Sequence, residues 1–326
     1  MNKMKMLWNT PLFLLFPLLL SAQGWETLQT GGTCTARSES ALAHVNNKLY
    51  LLGSRGIRPV NVLDLKTRNW AVMPAPPIEL HHFQAVVYKG EIWVAGAFTG
   101  NYPHELPVDH IYIYSPDDNA WRKGPAFPKD RLRGSAGVTV YKNKIYILGG
   151  TQDGHWDGHT GWLDEYDPAK NTWTRLADAP HARDHVCIEV IDHKIYVAGG
   201  RRTTARTNNV INLKEATVDV YDFKSGTWTT LPESSNLPTL RAGSPVIAHG
   251  HHLYVMGGES DTQVPAHSEV EVLDTRTLKW TSTAKLNQGR HGTGAVRVKN
   301  KIYIAGGAGN RGGGPELNSV EVLGLE

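Results

Sequence analysis

The stretch "TQDGHWDGHTGW", residues 151–162, carries an acid or a histidine at every second position: Asp153, His155, Asp157 and His159. Two carboxylates and two imidazoles are ligand types that zinc-like ions accept. Strict alternation would set all four side chains on one side of a strand, but Gly154 and Gly158 interrupt any regular strand here. No helical HxxxH frame and no cysteine pair accompanies them. No metal is therefore assigned, and no cofactor is expected. The same residue types occur in sugar-binding loops, where Trp156 and Trp162 would offer a flat face. Carbohydrate contact, or a plain polar surface loop, is the preferred reading.

Arginine and histidine recur elsewhere in a regular way. Arg37 with Glu39, His81 with His82, Arg133, Arg183-Asp184-His185, Arg241 and Arg290-His291 each precede a short apolar run. Arg58, Arg201, Arg202, Arg206 and Arg311 lie in polar stretches that follow such runs. Guanidinium forks hold carboxylate, sulfate or phosphate groups bidentately, and imidazoles trade protons near neutral pH. If chemistry occurs, His185 and His291 are the acid–base candidates. Asp184 or Glu259 would orient them, and Arg183, Arg241 and Arg290 would bind an anion. The run-leading arginines have an equally open structural reading, because buried backbone carbonyls demand partners.

A repeat must position these groups. "KLYLLGS" at Lys48, "EIWVAGA" at Glu91, "KIYILGG" at Lys144, "KIYVAGG" at Lys194, "HLYVMGG" at His252 and "KIYIAGG" at Lys301 share one pattern. Each of the first five is followed by a phrase ending in tryptophan: Trp70, Trp121, Trp173, Trp228 and Trp280. The spacing is about 50 residues, a propeller-blade period. The last copy, "SVEVLGLE", has no tryptophan, whereas "GWETLQT" near the start does. These phrases resemble the kelch repeat family over residues 23–326. The resemblance implies an all-β, six-bladed propeller of four-stranded blades, closed by an N-terminal strand pairing with the C-terminal blade. Gly53-Ser54 and Gly96-Ala97 depart from the double glycine of the other copies.

In such a blade, antiparallel order puts the loops between second and third strands on one face, with the starts of the innermost strands. Those loops are long and polar, and function concentrates on long loops of a rigid ring. That face is expected to be positive. The expected ligand contacts are Arg37, His81, His82, Arg133, His155, Trp156, His159, Arg183, Arg201, Arg202, Arg241, Arg290 and Arg311.

The overall charge is mild, 34 Lys+Arg against 31 Asp+Glu. It excludes a nucleic-acid stripe or a polybasic membrane patch. Lys3 and Lys5, an apolar run over residues 11–20 and Ser21-Ala22 read as a signal peptide over residues 1–22. A secreted or periplasmic protein is expected, with no stable membrane insertion after cleavage. Cys34 and Cys187 would lie across the ring, too far apart for a disulfide.

Three functional readings follow. One is recognition of an acidic small molecule or oligosaccharide at the channel mouth, with or without turnover. Exported bacterial kelch propellers include an N-acetylneuraminate epimerase. The chain is similar to it in fold and export signal only, so no active-site residue is carried over. The alternative is a non-catalytic module for a protein partner. The third is a copper enzyme of galactose-oxidase type, which needs a Tyr–Cys cross-link and a Tyr/His copper site that the two cysteines do not suggest.

Overall fold

The computed structural model describes residues 24–325, so the expected leader lies outside the described residues. Six sheets surround a central axis, antiparallel except where Gly31–Gly32 adds in parallel to Asn69–Met73 of the first. In the third, strands Gly137–Tyr141, Lys144–Leu148, Leu163–Asp167 and Thr172–Arg175 pair in order. We label such strands a to d, outward from the axis. The chain closes as expected: Glu26–Thr27 pairs antiparallel with Val320–Gly324 and supplies strand d of blade 6.

Strand b explains the apolar phrases. Along Lys48–Leu52, Leu49 and Leu51 pack against blade 6, while Tyr50 and Leu52 pack against blade 2. Side chains alternate faces along a strand, and both faces are covered, so the whole run must be apolar. Each of the six blade interfaces carries one such cluster among the described residues.

The repeated tryptophans latch neighbouring blades. The indoles of Trp121, Trp173, Trp228 and Trp280 donate to the carbonyls of Pro74, Ala126, Ala177 and Ser235, each in or just after strand d of the preceding blade. Trp25 donates to Ala284 in the same way. This places the N-terminal strand in register with the other outer strands. Trp70 completes the circle through the Thr30 hydroxyl.

The run-leading arginines are structural. Arg37, Arg133, Arg183, Arg241 and Arg290 are at most 1% exposed. Each donates to the carbonyl of Gly53, Gly149, Gly199, Gly257 or Gly306, sixteen residues along in its own blade. Each also reaches strand c, at Asn61, Asp164, Asp219, Glu271 or Glu321. The carbonyls of Arg37, Arg183, Arg241 and Arg290 bind the preceding blade, as in Gly150 N–H to Arg183 at 2.8 Å and Gly307 N–H to Arg37 at 2.8 Å. Leu80 takes this place in blade 2, accepting from Ser54 N–H. The expected arginine-lined mouth is thus corrected, because these guanidiniums are spent on carbonyls and carboxylates beneath it.

Arg241→Met strands the Glu271 carboxylate and three carbonyls. It should cost about 3–5 kcal/mol in urea unfolding. Arg202→Met, at an exposed residue, should stay within about 0.5 kcal/mol.

Candidate functional site

The start of each strand a turns at a left-handed residue. Glu39, His82, Ser135, His185, Gly243 and Gly292 occupy equivalent positions, with φ between 50° and 65°. Their backbones form a hydrogen-bonded circle about the axis. His82 N–H donates to Glu39, Ser135 to His82, His185 to Ser135, Gly243 to His185, Gly292 to Gly243, and Ser40 to Gly292, at 2.8–3.1 Å. Left-handed backbone costs a non-glycine residue roughly 1–2 kcal/mol. Four of the six positions bear that strain, and three of them present Glu39, His82 and His185 at the axis. Strain of this kind is held at functional sites by over-determining surroundings.

Three imidazoles converge there. The ring centroids of His82, His155 and His185 are 5.0–5.1 Å apart and edge-to-face. One ligand nitrogen from each lies within 4.8 Å of the others, and all three residues are buried. His155 arrives from the blade 3 loop. That loop is a hairpin of Thr151–Asp153 and Asp157–His159, pinned on both sides. His155 Nδ1 donates to Glu105 of the blade 2 loop at 2.8 Å. Arg206 of the blade 4 loop pairs with Asp157 at 2.5 Å.

Carboxylates buttress this set. Asp184 accepts from His185 Nδ1 at 2.5 Å and from Thr203. Glu105 accepts from Arg55 at 2.5 Å and from the His155 amide. Glu39 lies 3.2 Å from His82 Nε2. Burial pushes the Glu39 carboxyl up. It pushes His185 down to about 4, with Arg201 adding to the effect. Burial, then the neighbouring imidazoles, hold His82 well below its ordinary value. Burial also acts on Asp184 and Glu105, but their hydrogen bonds to His185 and to His155 and Arg55 outweigh it and keep both ionised.

Above the histidines lies a pocket of about 240 Å³, lined by Glu39, Arg55, Tyr102, Arg201, Glu259 and Glu316 among others. Below them a throat of about 40 Å³ leads into a channel of about 420 Å³, walled by the six inner strands.

The other expected residues fall as follows. His81 is buried behind His82, Nδ1 to Nδ1 at 2.6 Å. Arg201 lines the pocket but is paired with Glu259 at 2.5 Å. His291 lies 3.6 Å from Glu259, and its Nε2 donates to the Asn310 carbonyl. Arg311 binds the Asp261 carbonyl. Trp156 packs at a tilt against His104, and Trp162 lies under Arg131. The four alternating groups of the hairpin share no site. Asp153 pairs with His104, Asp157 with Arg206, and His159 stays on the hairpin, so only His155 reaches the axis. Cys34 and Cys187 are both unpaired, as expected.

Residues 125–307 match the family model described as the KLHDC2/KLHL20/DRC7 Kelch-repeats domain. The chain belongs to the kelch-repeat family. Kelch-like protein terF of Aspergillus terreus is 28% identical over 313 residues, covering 87% of this chain and 64% of terF. Kelch-like protein 38 of Rattus norvegicus is 26% identical over 264 residues, covering 79% of this chain and 42% of that protein. The chain spans less than two thirds of the length of either relative. Among solved structures, YjhT shares the fold, with a TM-score of 0.73 at 17% identity over 88% of this chain and 95% of that one.

Glu105 and Arg55 were missed in the sequence, and Glu39 was noticed without being assigned to the site. Aligning the kelch copies on the buried arginine finds Glu39: R-S-E, L-H-H, R-G-S, R-D-H, R-A-G and R-H-G put all six ring residues in one column. Two glycines in that column signal positive φ. Nothing local marks Glu105, whose partner lies 50 residues away.

Two measurements test this geometry. A Cβ at Gly243 meets nothing closer than 3.4 Å, so Gly243→Ala should cost about 1–2 kcal/mol from φ alone. At Gly292 the same Cβ would lie 2.8 Å from the Glu39 carboxylate, so Gly292→Ala should cost more in the same urea titration. On the channel wall, burial raises Glu189 to about 7. A carboxyl raised on folding contributes stability fully present below its unfolded value, about 4.3, and lost as pH rises through about 7. Glu189→Gln should therefore raise the melting temperature at pH 8, by about 2 °C, and leave it unchanged at pH 4.

Proposed function

We propose that the kelch mouth is a binding site for a compact, hydroxyl-bearing molecule such as a sugar. The observation that carries this reading is the pocket of about 240 Å³ over the histidine cluster, with Arg201 and Glu259 buried and Glu39 half-buried in its walls. Neighbouring hydroxyls both donate and accept, which suits alternating carboxylates and guanidiniums. Tyr102 offers a ring at the rim, 56% exposed. Three carboxylates against two guanidiniums, Arg55 and Arg201, line the pocket. Both guanidiniums are already paired. That balance favours an uncharged sugar over the acidic one expected from the arginines. Binding alone is proposed rather than epimerase- or mutarotase-type turnover. Of the four acid–base candidates, His185 has an unpartnered Nε2, but that atom is buried and the residue lines the throat rather than the pocket.

One observation favours a second reading, a protein partner seated over the mouth. Ile57, Tyr102, Leu106 and Val264 are 56–64% exposed, and all lie on loops of the pocket face. Exposed apolar groups gathered on one face suit a partner surface. Secretion or a periplasmic location is part of the proposal only through Lys3, Lys5 and the apolar run that follows them.

Saturation-transfer NMR with neutral and acidic monosaccharides tests the primary reading. Transfer to a neutral sugar is expected, with affinity weakened about tenfold, ~1.4 kcal/mol, by Tyr102→Ala. Absence of transfer to every sugar would overturn it and leave the apolar rim as the feature to pursue.

A further inference from the structure

We infer that His82, His155 and His185 form a site for one divalent transition-metal ion, best matched to zinc, where the mouth pocket meets the throat. Four observations on the molecule carry this.

The first is convergence. Three imidazoles from three blades meet on the axis, each offering a nitrogen within 4.8 Å of the other two. A tetrahedral ion with metal–nitrogen bonds of about 2.0–2.1 Å would set those atoms roughly 3.3 Å apart. Modest side-chain rotations close that difference without moving the backbone circle.

The second is tautomer. His155 Nδ1–H donates to Glu105 at 2.8 Å, and His185 Nδ1–H donates to Asp184 at 2.5 Å. His81 Nε2–H donates to the Gly100 carbonyl at 3.3 Å, so its Nδ1 accepts from His82 Nδ1–H at 2.6 Å. Every Nδ1 proton is thus committed outward, and all three Nε2 atoms are bare. Metal-binding histidines are held in this way, by an outer partner on the other ring nitrogen.

The third is an unmet need. His185 Nε2 is buried with no hydrogen-bond partner. His82 Nε2 faces the Glu39 carboxylate at 3.2 Å. A cation seated among these groups would give His185 Nε2 a partner and lie within reach of Glu39. Glu39 is placed to serve as a fourth ligand. Otherwise that position opens toward the pocket, as an open site requires.

The fourth is rigidity. Glu39, His82 and His185 sit on strained backbone locked into the hydrogen-bonded circle. The outer carboxylates are themselves anchored, Asp184 by Thr203 and Glu105 by Arg55. Neutral imidazole nitrogens with a hard outer shell suit zinc, and copper(II) is the competing ion. The hairpin's own acids, Asp153 and Asp157, take no part.

The site deepens the proposed reading, because its open position would meet a hydroxyl in the pocket, but it stands without it. The test uses untagged protein stripped with chelator and titrated with Co²⁺, whose visible bands report tetrahedral coordination. One Co²⁺ per chain is expected, displaced by one Zn²⁺. His155→Ala should weaken binding at least 100-fold, and Glu105→Gln about 10- to 100-fold. His159→Ala, on the same hairpin but away from the axis, should bind as wild type does. Failure of wild type to take up one equivalent of Co²⁺ or Zn²⁺ overturns the inference, as does uptake that survives His155→Ala. Sugar transfer measured on the stripped protein separates the two readings. Metal uptake without transfer removes only the sugar, and transfer without metal uptake removes only the metal.

Discussion

A circle of six backbone hydrogen bonds joins the innermost turns of the six blades, and the rest of the molecule is arranged to keep it closed. Each link requires a left-handed residue, and only Gly243 and Gly292 adopt that conformation cheaply. The other four positions hold strain that packing must offset. The offset comes from three concentric devices. Buried arginines tie strand a to strands b and c within a blade, apolar clusters fill the six interfaces, and tryptophan indoles latch the outer strands. The last link differs: Ser40 rather than Glu39 donates to Gly292. That shift leaves Glu39 at the junction where the first and last blades meet.

Charge is distributed to serve the same end. The five run-leading arginines and their strand c partners lie beneath the mouth. Removing one partner of such a pair is costly, whereas the intact pair mainly fixes geometry. The mouth itself is held by ion pairs between successive loops: Arg55 with Glu105, Arg206 with Asp157, Arg201 with Glu259, and Arg58 with Glu316. These contacts press the long loops inward and bring His155 down to the axis. The loops thereby become part of a rigid floor instead of a mobile fringe.

The fold was legible in the sequence because the signals that specify it repeat. Six apolar phrases, five tryptophans and a displaced sixth at Trp25 suffice to place every blade and the closing strand. The chemistry was less legible for a physical reason. An arginine before an apolar strand reads the same whether its guanidinium meets solvent or a carbonyl, and only the buried glycine carbonyl sixteen residues away decides. The motif over residues 151–162 suggested four equivalent groups, but the turn at Gly154 sends them to separate partners. His155 gained its role from Glu105, His82 and His185, none of them near it in sequence. A site made from one residue per blade leaves no local motif.

The account turns on three convergent histidines, His82 and His185 on the strained circle and His155 held by Glu105, with their Nε2 atoms bare. Long-range ¹H–¹⁵N NMR of the imidazoles, assigned with single His→Gln variants, reads that state directly. At neutral pH the account predicts that His82, His155 and His185 all carry their proton on Nδ1. A proton on Nε2 of any one of them, or a doubly protonated ring, would contradict it.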